Sequence, residues 1–531
     1  MTKASQIVRL TPAALEQLLA KLRVLLDGPT YEWVAGCLET LAWLQEELEQ
    51  KHTTLQRLRR MLFGARTEKL KKVFPPQAGT DSTDATPGST VPAIKPKGKG
   101  HGRLRAQQYS GAKQVIVSHP TLKIGDPCPA CLKGTLYELK KAARILCIAA
   151  QPLFPATLYL LQRLRCKLCG QVFTAPAPAE AFPGKYDPNA GFLLGLWRYG
   201  AGMPMYRIQN VQMDFGVPLP ASTQWELIAQ AAQPLEPVCQ ALLTCAAQAQ
   251  LFHNDDTRMR VQSLRKELAK RPDGRQGVLT TSIVAQIGSH PVALFFTGGR
   301  HAGENLDQLL QRRAAELAAP IQMCDALSCN PSQEFQVILA HCLPHGRRQF
   351  VEIADHFPQE CRHVLESLAH VFHNEAQAKE AQLSPQQRLA FHQERSGPVM
   401  ESLKGWMQGQ LDHKQVEPNS SLGRALQYML RHWLELTLFL RQPGAPLDNN
   451  ICERALKRAI LHRKNSLSYK TANGARIGDL FMSLIQTCRL NAINPFDYLC
   501  ALGLHARPVA QHPEQWLPWN YQQTVEATDT G

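Results

Sequence analysis

The sequence predicts a multidomain α+β protein, and three observations predict it. At 531 residues the chain exceeds what one ordinary core organises, so about three or four domains are expected. Hydrophobic residues make up 44%, enough for globular folding rather than disorder. The texture also changes along the chain, from helical periodicity to paired cysteines, then to strands, then to helices again.

The formal charge is +15 and the isoelectric point is ≈ 9.2. That balance points to a polyanionic partner, most simply nucleic acid, although anionic membranes attract the same charges. No run of eighteen apolar residues appears and the charged N-terminus lacks a signal-peptide core, so the expectation is a soluble, intracellular protein with no membrane partner. Fifteen cysteines in such a compartment read as reduced thiols and metal ligands rather than disulfides.

Residues 1–73 are expected to be helical and leucine-rich. Val34, Leu41, Leu44, Leu48, Leu55, Leu58 and Leu62 recur in alternating three- and four-residue steps, with Lys51 or His52 interrupting the seam. Either a short coiled coil joining protomers or an amphipathic helix packed on its own domain satisfies that pattern. Residues 74–107 form a linker poor in large apolar side chains, ending in the basic run Lys95–Arg105. That run suits either an extended arm along a minor groove or a solvated basic linker.

Residues 108–180 carry Cys128-x-x-Cys131 and Cys166-x-x-Cys169. Each pair offers two thiolates from one tight turn, and four thiolates satisfy tetrahedral zinc, so a zinc ribbon is expected. Its role is structural or DNA-contacting, because a four-thiolate site leaves no open position. Residues 181–250 are helical; the segment around 201–230 reads as a helix-turn-helix or, given its long turn, an ordinary helical hairpin.

Residues 251–350 begin an α/β layer domain. Leu251–Val261, Gly277–Gly288 and Pro291–Gly298 read as consecutive antiparallel strands, His301–Leu317 as a helix, Ile321–Cys324 as a strand and Phe335–Ala340 as another short apolar run. Residues 351–445 read as a helical insertion with Trp406 and Trp433 in its core. Residues 446–505 close the domain, and 506–531 form a tail.

Carboxylates point to the chemistry. Asp255 and Asp256 lie within the first strand and Asp325 ends a later one, although strands disfavour Asp. Glu453 lies on a helix predicted from Pro446–Lys464, where Asp448 or Asn449 can cap the first turn. Ile451, Ala455, Leu456, Ala459 and Ile460 form its apolar stripe, and Arg454, Lys457, Arg458, Arg463 and Lys464 surround the carboxylate. Alone this is a cationic surface helix with a Glu–Lys pair; with the aspartates it becomes a candidate metal ligand facing phosphates. Converging carboxylates repel unless divalent cations neutralise them. Two Mg²⁺ (or Mn²⁺) ions about 3.5–4 Å apart would support phosphodiester displacement. His341, Cys342 and His345, with Cys324 and Cys329, are a weaker candidate for a second metal site, lacking knuckle spacing. Arg347 and Arg348 are expected to approach phosphates.

The chain resembles the transposases of the bacterial insertion-sequence family numbered sixty-six. The likeness is carried by Phe63–Lys69, both CxxC pairs, Pro204–Arg207, Asp255-Asp-Thr257, Asp325, and Cys342-x-x-His-x-Arg-Arg-x-Phe350. It continues in Asp448-Asn-Asn-x-x-Glu-Arg454, Arg463-Lys-Asn465, Gly474-Ala475 and Asn494-Pro-Phe-x-Tyr-Leu499. The resemblance implies a DDE catalytic domain of RNase H-like fold with Asp255, Asp325 and Glu453 as catalytic and magnesium-binding residues. It implies DNA as substrate, both terminal inverted repeats and target, and small accessory proteins encoded beside it. A bacterial, nucleoid-associated homo-oligomer is the corresponding expectation. Asp255-Asp256-Thr257 stands where the family usually has Asp-Glu-Thr, so Asp256 stays open as the first acid. Asp325-Ala-Leu replaces the common Asp-Gly-Tyr. The rival readings are a DNA-binding regulator with a decayed catalytic domain and a nuclease of the same fold that only hydrolyses.

Overall fold

The computed structural model describes residues 12–28, short stretches between residues 30 and 181, and residues 184–529 except 269–276. Cys128, Cys131, Cys166 and Cys169, the leucine positions from Leu41 to Leu62 and the basic run Lys95–Arg105 lie outside the described residues. Two compact units emerge. Met1–Gln77, Gly184–Met205 and Ala221–Gly531 form the larger, and Ala78–Pro183 with Tyr206–Pro220 form the smaller.

In the smaller unit, β1 (Arg163–Arg165) pairs antiparallel with β2 (Val172–Thr174), and Pro127 bridges Thr135. These two closures bracket the segments that carry the cysteine pairs. Gln212, fully buried, accepts from the Phe154 amide at 3.1 Å and donates to the Phe154 and Val217 carbonyls at 3.2 and 3.3 Å. One amide side chain thereby satisfies backbone groups far apart in sequence.

The larger unit holds helix α1 (Pro12–Leu25), three further helices Ala190–Gly195, Ala221–Ala232 and Glu236–Ala247, and a five-stranded sheet. Its strands are β3 (Leu251–Met259), β4 (Val278–Ile287), β5 (His290–Gly298), β6 (Ile321–Cys324) and β7 (Ile338–His341), in the order β5-β4-β3-β6-β7. β4 runs antiparallel to both β3 and β5, while β6 is parallel to β3 and β7 is parallel to β6. The connection from β5 to β6 passes through α2 (Ala302–Leu310), which is shorter than the 301–317 span predicted. It stops because Arg313 turns back: its Nη1 donates to the Ala247 and Ala249 carbonyls at 2.9 and 2.7 Å, which pulls the chain out of helical register.

After β7, α3 (Leu343–Ile353) leads into the helical insertion, α4 (Pro358–Glu380), α5 (Pro385–Arg395), α6 (Gly397–Asp412) and α7 (Ser421–Arg431). Pro occupies the first turn of α4, α5 and α6, where its missing N–H is harmless. Ser384 and Ser420 cap α5 and α7 by accepting amides from Gln387 and Gly423. Leu365, Leu368, Met400, Met407, Leu426 and Trp433 fill the core between these helices, with Trp406 packed against it.

The chain then returns to the sheet through α8 (Asn450–Ser466) and α9 (Ala472–Leu490). β5 is an outer strand, and α9 lies along it. Thr487 Oγ1, Ser483 Oγ and Asp479 Oδ2 accept from the amides of Ala293, Phe295 and Thr297 at 3.1, 3.0 and 2.7 Å. Four helical residues rise about 6 Å and two strand residues about 6.6 Å, so side chains one turn apart meet every second amide. The exposed edge of the sheet is thereby satisfied without another strand. Among the described residues no helix is long and apolar enough to cross a membrane.

Candidate active site

Strand β3 organises the site, because successive side chains leave a strand on opposite faces. His253 Nδ1 lies 3.1 Å from Asn449 Oδ1, and Thr257 Oγ1 accepts from Arg463 Nη1 at 3.0 Å. His253, Asp255 and Thr257 therefore face the Asn449–Arg463 side, where α8 lies. Asn254 and Asp256 face the other way. Asp256 accepts from Thr281 Oγ1 at 2.5 Å and from the Ala302 amide at 2.8 Å, with His301 Nδ1 3.4 Å away. Burial raises the Asp256 pKa, while those hydrogen bonds work against the rise. Its carboxylate is held at the start of α2, where a helix favours negative charge. Of the two adjacent aspartates, only Asp255 shares a face with the helix of Glu453.

The parallel strands bring the next acid alongside. β3 and β6 are in register with His253 opposite Met323, so two residues further Asp255 comes opposite Asp325. β6 and β7 pair Cys324 with His341, so the next residue beyond Asp325 on β7's side is Cys342. Neighbouring strands are about 4.8 Å apart. Burial pushes the Asp255 carboxyl up to about 7; the bond from the Asp256 amide opposes this, and the charges of Asp325, Glu453 and Asp256 add to it. Acids from the middle of β3, the residue after β6 and the first turn of α8 thus lie near enough for the charges of Asp325 and Glu453 to bear on Asp255.

A buried polar network fixes the loop after β6. The Asn330 side chain donates to Asp325 Oδ1, and the Leu327 amide lies 3.3 Å from the same oxygen. Asn254 and Gln322 each donate to the Asn330 carbonyl at 2.8 Å, and Gln322 also donates to Asn254 Oδ1 at 3.0 Å. The loop packs so closely on α2 that a Cβ at Gly303 would lie 2.2 Å from the Pro331 carbonyl oxygen. Only glycine fits there.

Asn449 places Glu453. It was a candidate cap, but its side chain is 1% exposed and turned to β3, with Nδ2 donating to the Asn254 carbonyl at 3.0 Å. Asp448 takes the capping duty, accepting from the Asn450 amide at 3.0 Å. The buried face of α8 is Cys452, Ala455, Leu456, Ala459 and His462, with the expected Ile451 and Ile460 only half-buried. On this rotated face Cys452 Sγ donates to the Ser282 carbonyl of β4 at 3.2 Å.

The expected basic rim separates into two groups. Arg454, Lys457 and Lys464 are exposed, and Glu453, Lys457 and Lys464 fall within about 40° of one another around the helix axis. Arg458 and Arg463 are half-buried and donate to backbone carbonyls, Gly200 at 3.5 Å for Arg458 and Arg258 for Arg463. These contacts hold both guanidinium groups to the protein, so they are not simply part of an outward rim. Arg347 is half-buried on α3, and the exposed Arg348 lines a cavity of ≈ 270 Å³ with Asp325, His345, Gln349 and Tyr428. His345 Nε2 stands 3.9 Å from Glu453 Oε1.

The five residues weighed as one further metal site are divided by the fold. Cys342 and His345 gather with Glu453, whereas His341 gathers with His432 and Glu435; Cys324 and Cys329 join neither group. His341 and Cys342 are consecutive, so they leave the end of β7 in different directions.

The sequence model of the Transposase IS66 family matches residues 191–477, more than half of the chain. The chain belongs to that family. The matched span contains Asp255, Asp325 and Glu453. Among proteins of Sinorhizobium fredii (strain NBRC 101917 / NGR234), the IS66-family chain is similar to the uncharacterized protein y4jD, at 26% identity over 501 residues, 88% of this chain and 93% of the relative. It is also similar to the uncharacterized protein y4hP, at 25% identity over 440 residues, 78% of this chain and 76% of the relative.

His253, Asn254, Gln322 and Asn330 support the site and were missed by reading the sequence. A signal existed for Gln322, which interrupts an otherwise apolar strand segment, since a buried amide in a strand needs a partner. No local pattern marks Asn330.

Proposed function

We propose that the protein is a DNA transposase that binds the terminal inverted repeats of an insertion sequence. It cleaves DNA and transfers strands in a reaction dependent on divalent metal. The observation that carries this reading is the placement of Asp255 near Asp325 and Glu453, where burial, and then their like charges, hold its carboxyl up at about 7. All-carboxylate oxygen donors suit hard cations, so the set fits Mg²⁺ or Mn²⁺. Two such ions, when bound, polarise the attacking water or 3′ hydroxyl and stabilise the leaving oxygen. Asp255 from the middle of β3 and Asp325 from just past the end of β6 would supply ligands, and Glu453 would supply one from the first turn of α8. Lys457, Lys464 and Arg454, exposed on α8, and Arg348 in the cavity beside Asp325 would receive backbone phosphates.

The sheet order, an antiparallel β3-β4-β5 meander with β6 and β7 added in parallel beside β3, supports an RNase H-like catalytic domain interrupted by α4–α7. The antiparallel closures around both CxxC segments support a zinc ribbon with Cys128, Cys131, Cys166 and Cys169 as ligands. Assembly into a homo-oligomer through the leucine-rich N-terminal segment, action on nucleoid DNA in the bacterial cytoplasm, and partnership with small accessory proteins belong to the same proposal.

The test is cleavage of DNA carrying the element's own ends, in Mg²⁺, by wild type and by Asp325→Asn and Glu453→Gln proteins. Loss of at least about 10³-fold in rate is expected, equivalent to about 4 kcal/mol of barrier. Retained cleavage and strand transfer in either folded variant would overturn the proposal.

A further inference from the structure

His341 ends β7, the strand at the opposite side of the sheet from β5. It is 5% exposed, and neither of its ring nitrogens has a hydrogen-bond partner. A neutral imidazole carries one donor and one acceptor, and leaving both unmade in the interior is uncommon and costly. The side chain faces the helical insertion. His432, the C-terminal cap of α7, presents its ring 5.1 Å from that of His341. Glu435 lies three residues on, in the short helix Trp433–Leu436, and its Oε2 is likewise buried without a partner. One ligand atom from each of His341, His432 and Glu435 lies within 4.8 Å of the other two.

We infer that His341, His432 and Glu435 form a metal site for zinc, or another borderline divalent transition ion, that clips the helical insertion to the outer strand of the sheet. Two imidazoles and one carboxylate make a donor set that zinc takes in tetrahedral geometry, with water in the fourth position. Bonds of about 2.0–2.2 Å place tetrahedral ligand atoms about 3.3 Å apart, so side-chain rotations closing the group by about 1–1.5 Å suffice. His432 and Glu435 are three apart, a spacing that puts both on one side of a helical turn. The nitrogen ligands distinguish this site chemically from the all-oxygen set at Asp255, Asp325 and Glu453, which favours magnesium or manganese.

Its placement gives it a consequence. His341 immediately precedes Cys342, whose amide donates to the Cys324 carbonyl at 3.0 Å beside Asp325. From there the chain turns into α3, which brings His345 to Glu453. A metal holding His341 to His432 would fix the end of β7, and with it the approach of α3 to the acidic site. One nitrogen of each imidazole and one Glu435 oxygen would gain a partner in the same step.

The experiment uses the full-length protein, metal-stripped, reloaded with Zn²⁺ and dialysed, with metal content measured for wild type, Glu435→Gln and His432→Asn. Each variant is expected to hold one equivalent fewer than wild type, because zinc on the four cysteines is common to all and cancels. In EDTA the three proteins should melt together, and zinc should raise the wild-type midpoint above those of the variants. X-ray absorption of the zinc-loaded wild type needs no variant and should show a nitrogen and oxygen shell besides sulfur. Equal metal content in wild type and both variants, or a zinc environment of sulfur alone, would overturn the inference.

Discussion

Two carboxylates in this chain, one buried and one half-buried, meet opposite surroundings. In the helical insertion, Glu375 is 5% exposed and accepts from His392 Nε2 at 2.9 Å and Arg388 Nε at 2.8 Å, with Lys379 Nζ at 3.0 Å. Burial alone would raise its pKa, but His392, Arg388 and Lys379 more than offset that and bring it to about 2. On the sheet, Asp255 is raised by burial and again by the charges of Asp325 and Glu453. One carboxylate is fully answered by the protein, and the other is set among its own kind. The first is built for stability; the second leaves a charge deficit that a divalent cation would fill. Arg388 also donates to the Ala445 carbonyl at 2.9 Å, so the insertion network reaches the segment that leads into α8.

The contrast can be broken at its strong end first. Glu375→Ala strands the buried His392 and the half-buried Arg388 guanidinium and should cost about 3–5 kcal/mol in denaturant unfolding. The same group sets an acid limb. Its folded pKa lies below the ordinary value of 4.5, so its contribution is fully present above pH 4.5 and is lost as pH falls toward about 2. A Glu375→Gln protein should lack that limb, which a pH series of chemical denaturation would reveal. Next in size, Asn330→Ala removes the donor that holds Asp325 and should lower Mg²⁺-dependent cleavage about 10–100-fold, read from a metal titration of the rate. Ser483→Ala leaves the buried Phe295 amide without its acceptor and should cost about 1–3 kcal/mol without changing the cleavage rate of folded protein. The smallest effect has the opposite sign. In EDTA, Asp255→Asn relieves like-charge repulsion and should raise the melting midpoint by about 2 °C, while abolishing cleavage. A melting midpoint lowered by that substitution would mean that Asp255 is structurally satisfied, and the contrast with Glu375 would collapse.

Much of the five-stranded sheet was legible locally. Ile321–Cys324 reads as a strand because four apolar-compatible residues stand between a proline and an aspartate, and the strand has those bounds. β3, β4 and β5 also lie where alternation and bounding glycines put them. Less legible was anything set by an atom from a distant segment. The 301–317 helix was overlong because Arg313 answers to carbonyls of Ala247 and Ala249. The buried face of α8 includes Cys452 and His462, where the expected stripe had Ile451 and Ile460, and the Cys452 thiol reaches the Ser282 carbonyl. The two outer strands differ for the same reason: α9 supplies side chains to the amides of β5, while β7 ends at a histidine that meets the insertion.

The sequence by itself determined which residues can bear charge, cap, bend or ligate, because those capacities belong to side chains and to spacing along one element. It marked Asp325 and Glu453 and narrowed the first acid to Asp255 or Asp256. Only the tertiary structure shows which of those two shares a face with the helix of Glu453, since that depends on which face of β3 receives α8 and which receives α2. It also separated His341 from Cys342 and gathered Asn254, Gln322 and Asn330 behind Asp325. Such groupings arise from register and packing between segments remote in the chain, and no local pattern encodes them.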